Sequence, residues 1–221
     1  RSWEKMLMAA LRGEVRRLNI VGYHHAAIGP AHSNMLLGEH EATVLPLPNT
    51  VVTIGEVTES ILRKSGNYPE GTLKVGCALR QGRTVGQIRP RNAKGKITQV
   101  LVAFASSTRE YRDSLNFLAQ AFRDYPSYQV GIRPHPEFSL DQVLDALPDL
   151  DLEFQRMSGP LDHNFDWADV VVYVSSTVGL EAVSLGIPAV SVDLGRFTSY
   201  DPAPTGCPMK WSVSDPAQLV P

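Results

Sequence analysis

Residues 170–192 read VVVYVSSTVGLEAVSLGIPAVSV, and this stretch decides the fold class. Val170 to Val174 are all apolar or aromatic and mostly β-branched, which is typical of a strand buried on both faces of a parallel sheet. A hydroxyl-rich turn, a short helix ending at Gly186 and a second apolar strand after Pro188 follow. The stretch therefore predicts a strand–helix–strand unit of an α/β domain.

The turn of this unit, Ser175-Ser176-Thr177, follows the end of the first strand. Ligands of open α/β sheets bind outside the carboxyl ends of the strands, so these hydroxyl groups predict a phosphate or nucleotide site. Glu181 carries the same sign of charge as phosphate and is better suited to accept hydrogen bonds from the hydroxyls of a sugar. The alternative is structural, with the hydroxyls capping the helix and the carboxylate complementing its dipole.

Strands and helices alternate along the chain, which predicts parallel sheets joined by right-handed crossovers. Residues 97–221 form a nearly complete Rossmann-like pattern, in which 189–192 is the last predicted strand. Residues 1–80 contain only about three predicted strands and predict an incomplete N-terminal domain, so we expect the chain to be a piece of a longer protein. Residues 81–96, rich in Arg, Lys, Gly and Pro, are predicted to form an exposed linker.

The composition excludes several classes of protein. The net charge of −2 leaves no basic excess for nucleic-acid binding. Two distant cysteines predict neither a disulfide framework nor a metal site, and the spacings HExxH and CxxC are absent. No apolar run approaches the length of a membrane span, and the first residues, which contain an acidic residue and no apolar h-region, do not have the pattern of a secretion signal. We expect a cytoplasmic protein, with peripheral association of the full-length protein at the inner face of the membrane left open.

Motif absences narrow the enzyme classes further. The chain has no GxxxxGK[ST] phosphate loop, no GxGxxG after a first strand and no GxSxG. These absences disfavour a P-loop ATPase, a dinucleotide dehydrogenase and an α/β-hydrolase, respectively.

His135 follows the predicted strand 128–133 and lies between Pro134 and Pro136. The two prolines restrict the backbone on both sides and so fix the direction of the imidazole. With Arg133 two residues earlier, this motif predicts a phosphate-binding site. The alternative is a loop residue whose prolines only end the strand.

Polar residues follow two other predicted strands. Ser106 and Ser107 come after strand 98–104, where they either bind the ligand or cap the next helix. His24 and His25 come after the first predicted strand of the N-terminal region, residues 18–22. A histidine titrates near neutral pH, so His25 is a candidate general base, with a hydrogen-bonded structural histidine as the alternative.

The order of these motifs resembles the nucleotide-sugar glycosyltransferases of the GT-B type, which contain two Rossmann-like domains. Residues 133–136 and 175–177 resemble the HP and SS/ST motifs of bacterial sialyltransferases and Kdo transferases, and similar pieces occur in CDP-glycerol polymerases. The resemblance implies that His135, Ser175 and Ser176 hold the phosphate of a cytidine nucleotide. Residues 179–188 are similar to the pattern of UDP-N-acetylglucosamine 2-epimerases, which implies that Glu181 holds the ribose.

The resemblance implies a metal-independent glycosyltransferase of bacterial surface polysaccharide or capsule synthesis, with no cofactor. Its partners would be a nucleotide-sugar donor, preferably a CMP-sugar, and a polysaccharide or lipid-linked glycan acceptor. The acidic Asp/Glu-Asp/Glu-Gly motif that supplies the base in sialyltransferases is absent, which leaves His25 as the candidate. Two alternatives stay open: a sugar-nucleotide 2-epimerase of the same architecture, and a nucleotide-binding module without catalytic activity.

Overall fold

The computed structural model describes residues 2–15, 17–29, 31–79, 96–105, 107–196, 198–203 and 206–220. The chain divides into two compact units, residues 1–82 and residues 83–221. Of the predicted linker 81–96, only Lys96 belongs to the described residues.

The first unit contains a three-stranded parallel sheet in the order β1-β2-β3. Its elements are α1 (Ser2–Glu14), β1 (Val21–His24), a 3₁₀ turn (Ser33–Met35), α2 (Glu41–Val44), β2 (Thr50–Thr53), α3 (Glu56–Ser65) and β3 (Leu73–Val75). A small core of Val51, Leu62 and Leu73 packs α3 against the sheet.

The first strand lies three residues later than the predicted range 18–22. Its partner β2 begins only at Thr50, because Pro48 has no N–H group to donate to a ladder. The carbonyl of Ile20 instead accepts the backbone N–H of Asn49, whose side-chain oxygen accepts the N–H of Ile20 in return. Asn49 thus pairs with Ile20 immediately before the ladder, through its backbone N–H and its side-chain oxygen.

The second unit contains a six-stranded parallel sheet in the order β6-β5-β4-β7-β8-β9. Its elements are β4 (Gln99–Ala103), α4 (Thr108–Phe122), β5 (Gln129–Arg133), α5 (Leu140–Asp145), β6 (Gln155–Arg156), α6 (Leu161–Trp167), β7 (Val170–Tyr173), α7 (Val178–Ser184), β8 (Ala189–Val192), β9 (Lys210–Val213) and a 3₁₀ turn (Pro216–Gln218). The prediction of two parallel sheets is confirmed, and β9 adds a strand beyond the one predicted to be last.

The central strands of this sheet are buried on both faces. Val100 and Val102 of β4 pack with α4 and α5 on one face, whereas Leu101 packs with α6 and α7 on the other. β7 repeats this alternation, with Val172 on the first face and Val171 on the second. Apolar runs are thus required here, because consecutive side chains in the middle of the two strands enter cores on opposite faces.

Asp169 joins the amino ends of the two central strands. Its Oδ2 accepts hydrogen bonds from the backbone N–H groups of Thr98 at 3.0 Å and of Gln99 at 2.9 Å. Asp169 immediately precedes β7, so one carboxylate oxygen ties the start of β7 to the start of β4.

Candidate functional site

The site predicted from the sequence lies along the carboxyl edge of the second sheet. After β4 the chain turns towards β5, whereas after β7 it turns towards β8, on the opposite side. Connections that diverge in this way open a crevice at the carboxyl ends of the two central strands. Ser107 follows β4 and Ser175 follows β7, so the two predicted residues lie at the two sides of this crevice.

Glu110, in the first turn of α4, links the two sides of the crevice. Its side chain is only 1% exposed. Oε2 accepts a hydrogen bond from the Ser175 hydroxyl at 2.5 Å, and Oε1 accepts one from the Ala105 N–H at 3.3 Å. The only O–H proton of Ser175 is therefore directed at Glu110, and the hydroxyl would have to rotate before it could donate to a phosphate.

Ser107 caps α4, since its Oγ accepts the backbone N–H of Glu110 at 3.3 Å. Serine followed by glutamate three residues later is the sequence signature of a capping box, in which the glutamate returns to the N-cap residue. Here the Glu110 carboxylate turns to Ala105 and Ser175 instead. The sequence therefore signalled a helix start but not a link across the crevice. Ser106, predicted together with Ser107, lies outside the described residues.

The residues after Ser175 differ in burial. Ser176 is 7% exposed, and its Oγ accepts the N–H of Val178 at 3.3 Å, a local turn contact. Thr177 and Glu181 are exposed at the start and in the first turn of α7. The predicted nucleotide roles of Ser176, Thr177 and Glu181 stay predictions.

Two hydrogen bonds fix His135, one from its backbone N–H to α4 and one to its ring from the backbone two residues later. Its N–H donates to the Tyr111 hydroxyl at 2.6 Å, and Tyr111 is fully buried, with its ring 4.4 Å from that of Phe104. Burial raises the pKa of Tyr111, so the hydroxyl stays neutral. His135 Nδ1 accepts the N–H of Glu137 at 3.3 Å. The neutral imidazole must then carry its proton on Nε2, which makes Nε2 a hydrogen-bond donor.

Arg133 is tied to the loop after β6. Its Nη1 donates to the Gly159 carbonyl at 3.0 Å and to the Asn164 side-chain oxygen. Asn164 is 3% exposed and donates in turn to the Ser158 carbonyl at 3.2 Å. The guanidinium therefore has a structural role at this edge, and its predicted phosphate contact would have to come from its other N–H groups.

Arg196, in the loop after β8, is a residue that the sequence did not single out. Its Nη1 lies 3.8 Å from Glu110 Oε2, and its Nη2 lies 3.9 Å from Asp113 Oδ2. The loop that carries Arg196 has no hydrophobic periodicity, and nothing in the sequence connects it to α4. Only the strand order, which brings β4, β7 and β8 side by side, reveals their proximity.

In the first unit, the two histidines that end β1 differ in exposure. His25, the predicted base, is exposed, whereas His24 is 8% exposed. Burial lowers the pKa of His24, and the neighbouring His25 and His32 lower it further. Both ring nitrogens of His24 are buried with no hydrogen-bond partner among the described residues. The catalytic role of His25 stays a prediction.

Within the described residues, no group of three or more His, Cys, Asp or Glu side chains could hold a metal ion. Among the helices of that same part of the chain, none combines the length and the apolar character needed to cross a bilayer.

No protein-family model matches the chain, and no curated protein matches it. Solved structures do share its fold. UDP-GlcNAc 2-epimerase from Methanocaldococcus jannaschii, in complex with UDP-GlcNAc and UDP, aligns with a TM-score of 0.60 at 15% identity, over 96% of this chain and 63% of that one. Anabaena HepE, in complex with UDP and glucose, gives a TM-score of 0.58 at 13% identity, over 97% of this chain and 63% of that one.

A third structure, UDP-GlcNAc 2-epimerase from Neisseria meningitidis bound to UDP-GlcNAc, gives a TM-score of 0.55 at 14% identity, over 88% of this chain and 57% of that one. The chain thus spans 57% to 63% of the length of these three proteins. The likeness establishes the predicted GT-B-like α/β fold with two parallel sheets. At this level of identity it establishes the fold alone.

Proposed function

We propose that the chain belongs to a metal-independent glycosyltransferase that moves a sugar from a nucleotide-activated donor to a surface polysaccharide or lipid-linked glycan acceptor in bacteria. The observation that carries the proposal is the carboxyl edge of the second sheet. There Glu110 joins Ser175 across the crevice, and the buried Tyr111 fixes the backbone of His135. Ligands of open α/β sheets bind at this position.

In the proposed mechanism, His135 donates from Nε2 to the phosphate of the donor nucleotide. The other N–H groups of Arg133 and the hydroxyls of Ser176 and Thr177 supply further donors. These groups stabilise the negative charge that develops on the leaving phosphate as the bond between the sugar and this phosphate breaks and a glycosidic bond to the acceptor forms. Glu181 accepts hydrogen bonds from the ribose, and His25 of the first unit removes the proton from the acceptor hydroxyl.

The donor in this proposal carries a pyrimidine nucleotide. The resemblance of the HP motif at His135 and of the serine pair at Ser175 and Ser176 to sialyltransferase and Kdo transferase motifs favours CMP. The three solved structures of similar fold contain UDP, a UDP-sugar or both. CMP is therefore the first candidate and UDP the second.

Isothermal titration calorimetry of the chain with CMP, CDP and UDP tests this proposal. We expect at least one of them to bind, and His135→Ala to weaken that binding about 10- to 100-fold, the loss that corresponds to one hydrogen bond to a charged group. His163→Ala, an exposed histidine of the same unit, should leave the affinity unchanged. If none of the three nucleotides binds, or if His135→Ala binds as tightly as the wild type, the proposed site is wrong.

A sugar-nucleotide 2-epimerase is the second candidate, because two of the three structures of similar fold are UDP-GlcNAc 2-epimerases. Proton NMR of UDP-GlcNAc incubated with the protein separates the candidates. Inversion at C2 of the sugar supports the epimerase, whereas loss of the sugar to an added glycan supports the transferase. Binding without either reaction supports a nucleotide-binding module.

A further inference from the structure

The guanidinium of Arg196 carries two buried donors that no described residue accepts. The side chain is 24% exposed, and Nε and Nη2 have no hydrogen-bond partner among the described residues. These two nitrogens lie on the same edge of the guanidinium, from which arginine donates two parallel hydrogen bonds to a phosphate or carboxylate. Buried donors without a partner cost free energy, so a bound acceptor would relieve that cost.

Two carboxylates face Arg196 but do not satisfy these donors. Glu110 Oε2 lies 3.8 Å from Nη1, and Asp113 Oδ2 lies 3.9 Å from Nη2. Both separations are longer than a hydrogen bond, so the carboxylates attract the guanidinium without accepting its protons. Glu110 is 1% exposed, and a charge buried so deeply requires a nearby counter-charge. Arg196 thus balances Glu110 and still has an unused edge.

The surroundings of Arg196 leave room for a small anionic group. Arg196 lines a cavity of about 110 Å³ at the carboxyl ends of β7 and β8, together with Val174, residues 198–200 and the two carboxylates of Asp193 and Asp201. A water molecule occupies about 30 Å³ of the liquid, so the cavity has room for a group the size of a phosphate. Glu110, which lies 3.8 Å from Arg196, accepts the hydroxyl of Ser175 at 2.5 Å. Arg196 is therefore separated from the proposed phosphate site by one side chain.

We infer that Arg196 binds the phosphate of the nucleotide through Nε and Nη2, which the guanidinium must rotate out of their buried position to present, and that Glu110 holds the side chain near the site. This inference rests on the proposed function, since it adds a cation to the same site. Arg196, in the loop after β8, would then bind the charged phosphate in addition to Arg133, where the sequence predicted this contact. Asp113 opposes the contact, because its carboxylate repels the incoming phosphate.

Binding of nucleotides and nucleosides to Arg196→Gln tests the inference by calorimetry. The ligands are CMP and UDP, each paired with its nucleoside, cytidine or uridine. We expect Arg196→Gln to weaken nucleotide binding about 10- to 100-fold and to leave nucleoside binding unchanged, because only the nucleotide carries the charged partner. Arg109→Gln is the matched control, since Arg109 is 79% exposed and also pairs with Asp113.

The outcomes separate this inference from the proposed function. Nucleotide binding by the wild type together with equal binding by Arg196→Gln overturns the role of Arg196 alone. A parallel loss of nucleoside affinity also overturns it, because it indicates general disruption of the site. A wild type that binds no nucleotide overturns the proposed function and, with it, this inference.

Asp113→Asn provides a second test that does not depend on the folding of Arg196→Gln. It keeps Arg196 and removes one opposing carboxylate, which is 37% exposed. We expect nucleotide affinity to rise about 2- to 5-fold, the effect of one partly exposed charge, with nucleoside affinity unchanged. An unchanged or lower nucleotide affinity contradicts the inference, because a purely structural ion pair predicts no gain.

Discussion

The two units satisfy their buried polar groups in different ways. In the second unit, the buried Glu110 has two hydrogen-bond donors and the hydroxyl of Tyr111 accepts a backbone N–H. In the first unit, His24 is nearly as buried but has no hydrogen-bond partner among the described residues. At the carboxyl edge of the second unit, hydrogen bonds therefore fix Glu110 and the backbone of His135, although Nε and Nη2 of Arg196 have no partner among the described residues. The polar end of β1 is not fixed by contacts of this kind.

The apolar core of the second unit is also larger than that of the first. The second sheet has helices on both faces, whereas the buried apolar cluster of the first unit consists of Val51, Leu62 and Leu73. On α1, Trp3 is 59% exposed and Met6 is 72% exposed. A binding site needs a rigid scaffold, and the better packed unit is the one whose edge carries the proposed nucleotide site.

The largest expected effect comes from Gly179→Ala in the second unit. A Cβ at Gly179 would lie 2.3 Å from the ring of Tyr173, which is 1% exposed and donates a hydrogen bond to Asp201 at 2.9 Å. The ring cannot move without losing that bond, so we expect the free energy of unfolding to fall by about 3 kcal/mol. Urea unfolding followed by tryptophan fluorescence measures this change.

Gly13→Ala in the first unit is the control for this comparison. Gly13 lies in α1, and an added Cβ would meet no atom within 4 Å. Alanine favours a helix over glycine, so stability should stay equal or rise by up to about 1 kcal/mol. Equal stability of Gly179→Ala and the wild type would mean that α7 does not pack on Tyr173 as described.

A smaller effect is expected from Tyr111→Phe, which removes the acceptor of the His135 N–H. A buried donor left without a partner costs about 1–3 kcal/mol, and the imidazole also loses its fixed position. We expect a lower urea midpoint and weaker nucleotide binding. Tyr125→Phe, at a tyrosine that is 36% exposed, should change neither quantity. Full nucleotide affinity in Tyr111→Phe would separate His135 from the binding site.

The smallest expected effect concerns His24 and the pH dependence of the first unit. Burial lowers the pKa of His24 below its ordinary value of 6.5, with His25 and His32 adding to the shift. Between these two pKa values the unfolded chain binds more protons than the folded chain, so stability falls as the pH drops below about 6.5. Urea midpoints at pH 7.5 and pH 5.5 measure this loss.

His24→Gln should reduce the loss of stability at acid pH. His40→Gln serves as the control, because the His40 side chain is 84% exposed, and it should leave the loss of stability unchanged. If His24→Gln and the wild type lose equal stability between the two pH values, another group causes the dependence.

Much of the second sheet could be predicted from the sequence, because its central strands are buried on both faces and read as continuous apolar runs. β9 was missed because Lys210–Val213 is only four residues long and follows a long loop that contains three prolines. β1 was placed too early, since the apolar residues Leu18 and Ile20 resemble a strand and only the position of β2 limits the ladder.

The candidate site could be predicted only in part. Residues just after a strand, such as His135 and Ser175, could be placed at the carboxyl edge from the sequence because parallel strands deliver them there, while their roles stay predictions. Glu110 and Arg196 were missed, because they come from a helix turn and from a loop that meet only through the strand order. Sequence patterns report local structure, whereas this contact joins residues that are 86 positions apart, from 110 to 196.

Asp169 shows how the opposite edge of the sheet controls the site. Its hydrogen bonds to Thr98 and Gln99 fix β4 and β7 in one register. A slip by one residue would exchange the two faces of β7 and shift Ser175 along the sheet relative to Glu110. The four residues of β7 span about 13 Å, so this anchor acts far from any bound ligand. A substitution at Asp169 would then reduce ligand affinity although no ligand contact is removed.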